Sequence, residues 1–325
     1  MIYKKRLAIS IFAGVLVFTS GCASNSEKKA ENTKSRIEQT AVKPFQIVPG
    51  KSQTLDHIHG IGYPGNDEAL YVAAHDGISM YKRSKWYETT TNHHDYMGFQ
   101  AIATGFQASG HPENGSTLKN PLGLVESLDQ GKTVKKLAFY GQSDFHYMAS
   151  SYSANGIYVI NEQQNGKWDP GIYYSNDNGK NWSKTKLEQF AANSFGMMAV
   201  HPNDGQIMAM ATRTGIYYSE NHGDTMKLVS APVMVTALTF TGDQLLYSSV
   251  VDKKILLKRL NPKTGAEAPV GFPFLDYDNP VTYIAVDPKN TNRLAFSTYK
   301  NDIYESTDGG KSWVNLVKDG KMEQE

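Results

Sequence analysis

The stretch Ser175-Asn-Asp177-Asn-Gly179-Lys-Asn-Trp182 decides the fold, because the chain repeats it. Related turns begin at Ser219 and Ser306, and a more divergent copy begins at Ser127. In such a turn Ser and Asp side chains can hydrogen-bond to nearby backbone amides, and Gly can adopt the left-handed backbone conformation. Alternating strands such as residues 171–174 precede the turns. The repeats therefore predict an all-β protein built from recurring units.

The spacing of these turns indicates the number of units. The first three copies start 48 and 44 residues apart, whereas Ser219 and Ser306 lie 87 residues apart, which is about two units. Candidate innermost strands start every 39 to 49 residues, at 56–63, 95–103, 144–151, 193–200, 235–240 and 281–286. Four-stranded propeller blades repeat at about 40–50 residues. The resemblance of these turns to Asp-boxes implies a β-propeller, and the spacing then predicts a six-bladed β-propeller of four-stranded blades. The alternative is seven blades, with residues 45–48 beginning an extra blade instead of forming a closing edge strand.

The repeated turn resembles the Asp-box, or BNR repeat, Ser-x-Asp-x-Gly-x-x-Trp. Asp-boxes occur in β-propellers such as sialidases, sortilin-like receptors and the photosystem II stability-factor group, where the turn joins the third and fourth strands of a blade. The resemblance implies the same position here, away from the active face. The order HIHGIGY, LYVAAHDG, HDYMGFQ, SGHP, KNPLGL and SDFHYMA is also similar to bacterial Asp-box lipoproteins labelled glycosyl hydrolases. That similarity spans the first three blades.

The N-terminal residues have the pattern of a targeting segment. A basic n-region, an apolar run and a small-residue cleavage site follow one another, at residues 4–6, 7–18 and 19–22. Cys22 is the only cysteine, and its context resembles the lipobox of bacterial lipoproteins, with Thr19 in the place of the usual Leu. The resemblance implies a signal peptide at 1–21 and lipidation of Cys22; the alternative is an ordinary signal peptide with an incidental cysteine. Residues 22–43 are polar and predict a disordered tether, and 44–325 a single propeller domain.

These features predict the location and the class of partner. A lipid anchor at Cys22 would hold the protein at the membrane, on the outer face of the bacterial cytoplasmic membrane. The low-Arg, Lys- and Asn-rich composition favours a Gram-positive source. A formal net charge of +1 without a basic stripe argues against a nucleic-acid partner. We expect a monomer that binds a small ligand, a metal or a glycan.

Most of the histidines map to one face of the predicted propeller. In a four-stranded blade, the loop that enters strand one and the loop between strands two and three lie on the same face. Seven of the nine histidines occupy such positions, namely His57, His59, His75, His93, His94, His111 and His146. His57 and His59 stand two residues apart in the stretch 56–63, so on a strand they would project together. Arg213 of blade four maps to the same face.

Two interpretations of the histidines remain open. Neutral imidazoles suit zinc or copper, and carboxylates can orient them. The metal candidates are His57, His59 and His146. The candidates for binding a ligand, or for completing the metal site, are His75, His94, His111 and Arg213. Alternatively, each imidazole bridges neighbouring loops by hydrogen bonds, and the face serves as a protein-docking scaffold.

Three aspartates provide an enzymatic alternative. Asp56, Asp95 and Asp144 open three successive candidate strands, and glycoside hydrolysis needs two carboxyl groups about 5–10 Å apart. These residues are the candidate catalytic groups of a glycoside hydrolase-like enzyme. A true sialidase is disfavoured, because sialidases hold the substrate carboxylate with three arginines and only Arg213 maps to the active face. We therefore predict a cell-surface lipoprotein with a His/Asp-rich ligand or metal site, and keep the hydrolase as the alternative.

Overall fold

The computed structural model describes residues 44–51, 54–166 and 168–322. The proposed signal peptide, the lipidation site Cys22 and the tether lie outside these residues, so they stay predictions. Within the described residues there is no helix that could span a membrane.

The described chain forms six antiparallel sheets, one for each blade, in sequence order. After an edge strand β1 (Ile47–Pro49), blade one contains β2 (Gly60–Gly62), β3 (Leu70–Ala74), β4 (Gly77–Lys82) and β5 (Lys85–Thr89). Blade two contains β6 (Asp95–Ile102), β7 (Gly105–His111), β8 (Leu124–Ser127) and β9 (Lys135–Ala138). Blade three contains β10 (Met148–Ser150), β11 (Ile157–Asn161), β12 (Gly171–Ser175) and β13 (Ser183–Lys184).

The second half of the ring repeats this arrangement. Blade four contains β14 (Met198–His201), β15 (Asp204–Thr212), β16 (Gly215–Ser219) and β17 (Lys227–Leu228). Blade five contains β18 (Met234–Thr241), β19 (Gln244–Val251), β20 (Lys254–Leu260) and β21 (Glu267–Pro269). Blade six contains β22 (Val281–Asp287), β23 (Asn290–Thr298), β24 (Ile303–Ser306) and β25 (Val314–Lys318), with an edge strand β26 (Lys321–Met322). The six-bladed prediction is confirmed.

The strand β1 settles the count of blades. It pairs antiparallel with the outermost strand β5 of blade one, with Val48 opposite Glu88. The segment is therefore an edge strand and not the start of a seventh blade. At the other end of the chain, Thr54 bridges Lys321 and the amide of Leu55 donates to the carbonyl of Gly320 at 2.6 Å. These contacts tie the entry of blade one to the edge of blade six.

The inner strands of a blade are buried on both faces, so nearly every residue along them is apolar, as in β3. Along β3, Leu70 and Val72 pack toward blade six, whereas Tyr71 and Ala73 pack toward blade two. The alternation follows from the two-residue period of a strand. Full burial of a side chain of this size stabilises the fold by about 2 kcal/mol. A cavity of about 110 Å³ lies on the axis, lined by the inner strands of all six blades.

The Asp-boxes occupy the predicted position between third and fourth strands. In blade three, Ser175 Oγ donates to Asp177 Oδ1 at 2.8 Å and accepts from the Gly179 amide at 2.9 Å. The turn needs two successive left-handed residues, Asn178 at φ 61° and Gly179 at φ 85°. The other three boxes repeat the Ser–Gly hydrogen bond at 2.9 Å. The indole of Trp182 closes the turn by donating to the Gly179 carbonyl at 2.9 Å.

The innermost strands begin later than predicted in three blades. The strands predicted at 56–63, 144–151 and 193–200 are observed over Gly60–Gly62, Met148–Ser150 and Met198–His201. The reason in blade one is a left-handed backbone at His57, with φ 48°, which cannot continue an extended strand. The prediction that His57 and His59 share a strand is therefore wrong, as is the prediction that Asp56 and Asp144 open strands. Asp95 does open β6.

Candidate functional site

Two loops of blade one bring three imidazoles into contact. His57 and His59 lie in the segment before β2, and His75 lies in the turn between β3 and β4. The ring of His75 stacks against His57 with centroids 4.7 Å apart, and against His59 with centroids 4.8 Å apart. His57 and His59 thus meet the same partner, although not by strand alternation. The backbone hydrogen bonds between β2 and β3 extend to His59, whose amide donates to the carbonyl of Ala73 at 2.8 Å.

Asp95 of blade two completes this group. Its Oδ1 lies 3.3 Å from His59 Nε2. One ligand atom each from His59, His75 and Asp95 lie within 4.8 Å of one another. His59 Nε2 and Asp95 Oδ1 are buried, and neither has a hydrogen-bond partner among the described residues. Zinc ligands at about 2.0–2.1 Å in a tetrahedron stand roughly 3.3–3.5 Å apart, so the His59–Asp95 separation fits a bound ion.

Electrostatics favour a neutral ring at His59. Burial lowers the pKa of the His59 imidazole; Asp95 opposes this effect, whereas His75, His57 and His146 add to it. A buried imidazole without a proton on one nitrogen offers a lone pair to a metal. The surroundings of His59 therefore favour the form that a metal binds.

A second group lies beside the first. His111 ends β7 directly opposite Asp95 on β6, and its Nε2 lies 3.3 Å from Asp144 Oδ2. His146 Nδ1 lies 3.6 Å from the same oxygen and 4.0 Å from Glu162 Oε2. One carboxylate thus faces two imidazoles, with a second carboxylate at the edge.

The other candidate residues have different surroundings. His94 is only 3% exposed, its Nδ1 accepts the Glu113 amide at 3.0 Å, and burial lowers its pKa. It packs edge-on against Tyr96, with ring centroids 5.6 Å apart. Asp56 is exposed and contacts only His57 among its described ion pairs, at 3.4 Å. Arg213 lies exposed in the turn between β15 and β16, and no described contact joins it to the histidines.

The two remaining histidines lie on the opposite face. His201 ends the first strand of blade four and contacts Asp243 at 3.0 Å. His222 lies in the Asp-box of blade four, where its ring stacks on Tyr174 at 4.5 Å. Substituting either residue therefore provides a control for changes on the histidine-bearing face, the face that carries His57, His59, His75, His111 and His146.

Residues that the sequence did not single out extend this face. Glu162 lies in the loop between β11 and β12, beside a groove of about 540 Å³ that runs between blades three and four. Tyr147 and Phe195 line this groove, each 44% exposed. All the exposed aromatic side chains of the described residues lie in loops of this face, namely Tyr147, Phe195, Phe274, Tyr277 and Tyr299. In the sequence, these aromatic residues could have been recognised because they lie in predicted loops and not in the alternating pattern of a strand.

Comparison with known proteins supports the class of fold. The family model of sortilin (neurotensin receptor 3; Sortilin-Vps10) matches residues 123–270. No curated protein sequence matches the chain. With the Asp-boxes in place, the protein is a β-propeller of the sialidase-like kind.

Solved structures share this fold at low sequence identity. The xyloglucanase of family GH74 from Xanthomonas campestris has a TM-score of 0.52 and 16% identity, covering 84% of this chain and 47% of that chain. The GH74 enzyme from Niastella koreensis has a TM-score of 0.51 and 15% identity, covering 83% of this chain and 46% of that chain. A structure of the nidogen/laminin complex has a TM-score of 0.54 and 12% identity, covering 78% of this chain and 95% of that chain. The chain spans about half the length of the two GH74 chains, and these similarities concern the fold alone.

Proposed function

We propose that this propeller binds a transition-metal ion, zinc or copper, through His59, His75 and Asp95. The observation that carries the proposal is the approach of two buried atoms, His59 Nε2 and Asp95 Oδ1, to 3.3 Å without a hydrogen bond to each other or to another described residue. A buried polar atom without a partner costs about 1–3 kcal/mol, and an ion between the two atoms would remove that cost. Two imidazoles and one carboxylate form a donor set that both metals accept.

A metal ion held by these three residues would also provide a binding position for a small molecule. Three protein donors leave one position of a tetrahedral zinc ion open to water or to a small molecule. His57 stacks on His75 and keeps that ring in place. With Cys22 lipidated, the site would act at the outer surface of the membrane, as the N-terminal residues predict.

Calorimetric titration of the purified protein with zinc and with copper(II) tests the proposal. We expect saturable binding whose affinity falls more than about 10-fold in His59→Ala and in Asp95→Asn. Changing a residue that only orients a metal ligand already lowers metal affinity by about 10- to 100-fold, and changing a ligand itself should lower it at least as much. His222→Asn is the matched control, because it removes a histidine from the opposite face. Its position has a φ of 62°, like Asn178 in the neighbouring Asp-box, so Asn fits. No binding, or equal binding in His59→Ala, would overturn the proposal.

The groove between blades three and four supports a second candidate, a glycan-binding or glycoside hydrolase-like function. Exposed rings of Tyr147 and Phe195 line a cavity of a size typical of ligand pockets, about 300–1,000 Å³. Glu162 connects the groove with His146 and Asp144. A panel of chromogenic glycosides tests it. Hydrolysis that Asp144→Asn and Asp95→Asn abolish would support the enzyme, whereas activity that survives both changes would come from a contaminant.

A further inference from the structure

We propose that exposed aromatic loops of blades five and six contact a lipid bilayer, so that the histidine-bearing face is turned toward the membrane. This inference goes beyond the metal site and uses none of its ligands. It rests on the predicted lipid anchor at Cys22 and on two features of the described residues. One is the place where the chain enters the propeller, and the other is a group of exposed apolar side chains on the same face.

The chain enters the propeller on the histidine-bearing face. Strand β1 runs antiparallel to the outermost strand β5 of blade one, so the start of β1 lies beside the end of β5. There Thr90 Oγ1 donates to the carbonyl of Pro44 at 2.8 Å, and the Thr90 amide donates to the carbonyl of Gln46 at 3.0 Å. Thr90 begins the loop that enters blade two, which belongs to this face. A chain anchored at Cys22 therefore reaches the propeller from this side.

Exposed apolar side chains form a group on the same face. Phe274 and Tyr277 lie in the loop between β21 and β22, and Tyr299 lies in the turn between β23 and β24. They are 88%, 57% and 71% exposed, respectively. The exposed Met234 and Val251 of blade five lie at the same end of their strands. Single exposed apolar residues are normal, whereas a group of them marks a contact with a protein or a membrane.

Two contacts join these loops into one surface. Lys253, in the turn after Val251, places its Nζ 5.7 Å from the centre of the Tyr277 ring. The Tyr299 amide donates to the carbonyl of Pro280 at 2.9 Å, at the end of the loop that carries Tyr277. The surface therefore extends across blades five and six.

The loop that carries Phe274 is anchored on both sides of its exposed part. Leu275 is 7% exposed and packs in the core between blades five and six. Further along, Asn279 Nδ2 donates to the buried Asp302 at 2.9 Å. A ring that is already held outward loses little conformational freedom on binding. Tyrosine, with an apolar ring and a polar tip, is typical of the interface between a membrane and water.

The charges beside this surface balance, which favours an apolar contact over an electrostatic one. Lys300 Nζ lies 3.0 Å from Asp278 Oδ2. The exposed charged residues in and beside the three loops are Asp252, Lys253, Lys254, Asp276, Asp278 and Lys300. Three cations and three anions give no net attraction for anionic lipids. We therefore expect a neutral bilayer to be bound.

A weak contact is enough because the anchor keeps the propeller near the bilayer. A disordered tether over 22–43, as the sequence predicts, would span about 25 Å on average. Such a short tether holds the second contact at an effective concentration in the millimolar range. A few interfacial side chains can then orient the propeller, with the group of His59, His75 and Asp95 on the side of the bilayer.

Fluorescence quenching in vesicles of phosphatidylcholine tests this proposal on the protein purified from the membrane fraction. Cys22 is the only cysteine and its thiol would carry the lipid, so one introduced cysteine can be labelled alone. The labelled positions are Asp276→Cys, two residues from Phe274, and Asn203→Cys, in an exposed turn of the opposite face. We expect nitroxide-labelled lipids to quench the dye at position 276 and to leave the dye at position 203 unquenched.

Variants of the labelled Asp276→Cys protein test the role of the aromatic residues. The double change Phe274→Ser/Tyr299→Ser should abolish most of the quenching. Val314→Ser is the matched control and should retain it, because it removes a side chain that is 62% exposed at the opposite end of blade six. Circular dichroism of each variant shows whether the propeller is intact.

The outcomes decide the orientation independently of metal binding, since the three proposed metal ligands stay unchanged. Equal quenching at positions 276 and 203 would overturn the proposal, as would quenching at 276 that survives Phe274→Ser/Tyr299→Ser. Recovery of the protein from the soluble fraction would also overturn it, because the proposal rests on the anchor. Each of these results would leave the zinc titration to decide the metal site.

Discussion

His59 of blade one and Asp95 of blade two face each other across the boundary between their blades, with Nε2 and Oδ1 3.3 Å apart. A metal ion bound there would link the two blades and would bind only the folded ring. At a concentration about 100 times the Kd, such a ligand adds about 2.7 kcal/mol to the free energy of unfolding. For a chain of this size we expect the melting temperature to rise by roughly 5 °C.

Thermal unfolding with and without zinc measures this effect. The rise should be absent in Asp95→Asn and retained in His222→Asn. An equal rise in Asp95→Asn would mean that zinc stabilises the ring from another site.

The Asp-box serine predicts a stability effect far from the site. Ser175 is 1% exposed and its hydroxyl links Asp177 to the Gly179 amide. Ser175→Ala leaves that amide without its acceptor, so we expect a loss of about 2 kcal/mol in the free energy of unfolding. Urea denaturation measures the change, and the exposed Ser183→Ala serves as control. A loss below about 0.5 kcal/mol in Ser175→Ala would contradict the importance of this bond.

The same turn predicts a dependence on pH. Hydrogen bonds from Asn181 and Ser175 lower the pKa of the Asp177 carboxyl to about 2. Because the folded pKa lies below the unfolded value of 3.8, the stabilisation is complete above that value and is lost as the pH falls toward 2. Asp177→Asn should therefore flatten the decline of stability between about pH 4 and pH 2. Asn221 in the neighbouring Asp-box accepts the same serine bond at 2.9 Å, so the variant should fold. An unchanged pH profile would contradict this prediction.

The contact between blades six and one predicts a larger effect. Glu305 accepts from the hydroxyl of Tyr63 at 3.0 Å and from Arg293 Nε at 2.9 Å. Glu305→Ala would leave a buried hydroxyl and a largely buried guanidinium without this acceptor, and we expect a loss of about 3 kcal/mol. Glu68→Ala removes an exposed ion pair with Arg83 and should cost less than about 1 kcal/mol. Equal losses in the two variants, measured by urea denaturation, would contradict the account of ring closure.

The sequence predicted the ring because each blade carries its own local signals. Alternation and an Asp-box such as Ser175–Trp182 depend on neighbours in the chain, and all six inner strands follow in the predicted order. His57, with φ 48°, instead stacks on His75 from a different loop. No local pattern encodes that contact.

The grouping of the site residues was only partly readable for the same reason. Loop positions alone placed His59, His75 and His111 on one face. They could not show that His94 turns to the Glu113 amide while its neighbour Asp95 turns to His59. Glu162 belongs to a loop without histidines, so its approach to His146 became visible only in three dimensions.

The most direct test of the metal-binding function is a crystal structure of the zinc-soaked protein with anomalous diffraction data collected on both sides of the zinc edge. We predict an anomalous peak about 2.0–2.1 Å from His59 Nε2, from a ring nitrogen of His75 and from an oxygen of Asp95. A zinc-soaked crystal with no peak between these three residues would contradict the proposed function.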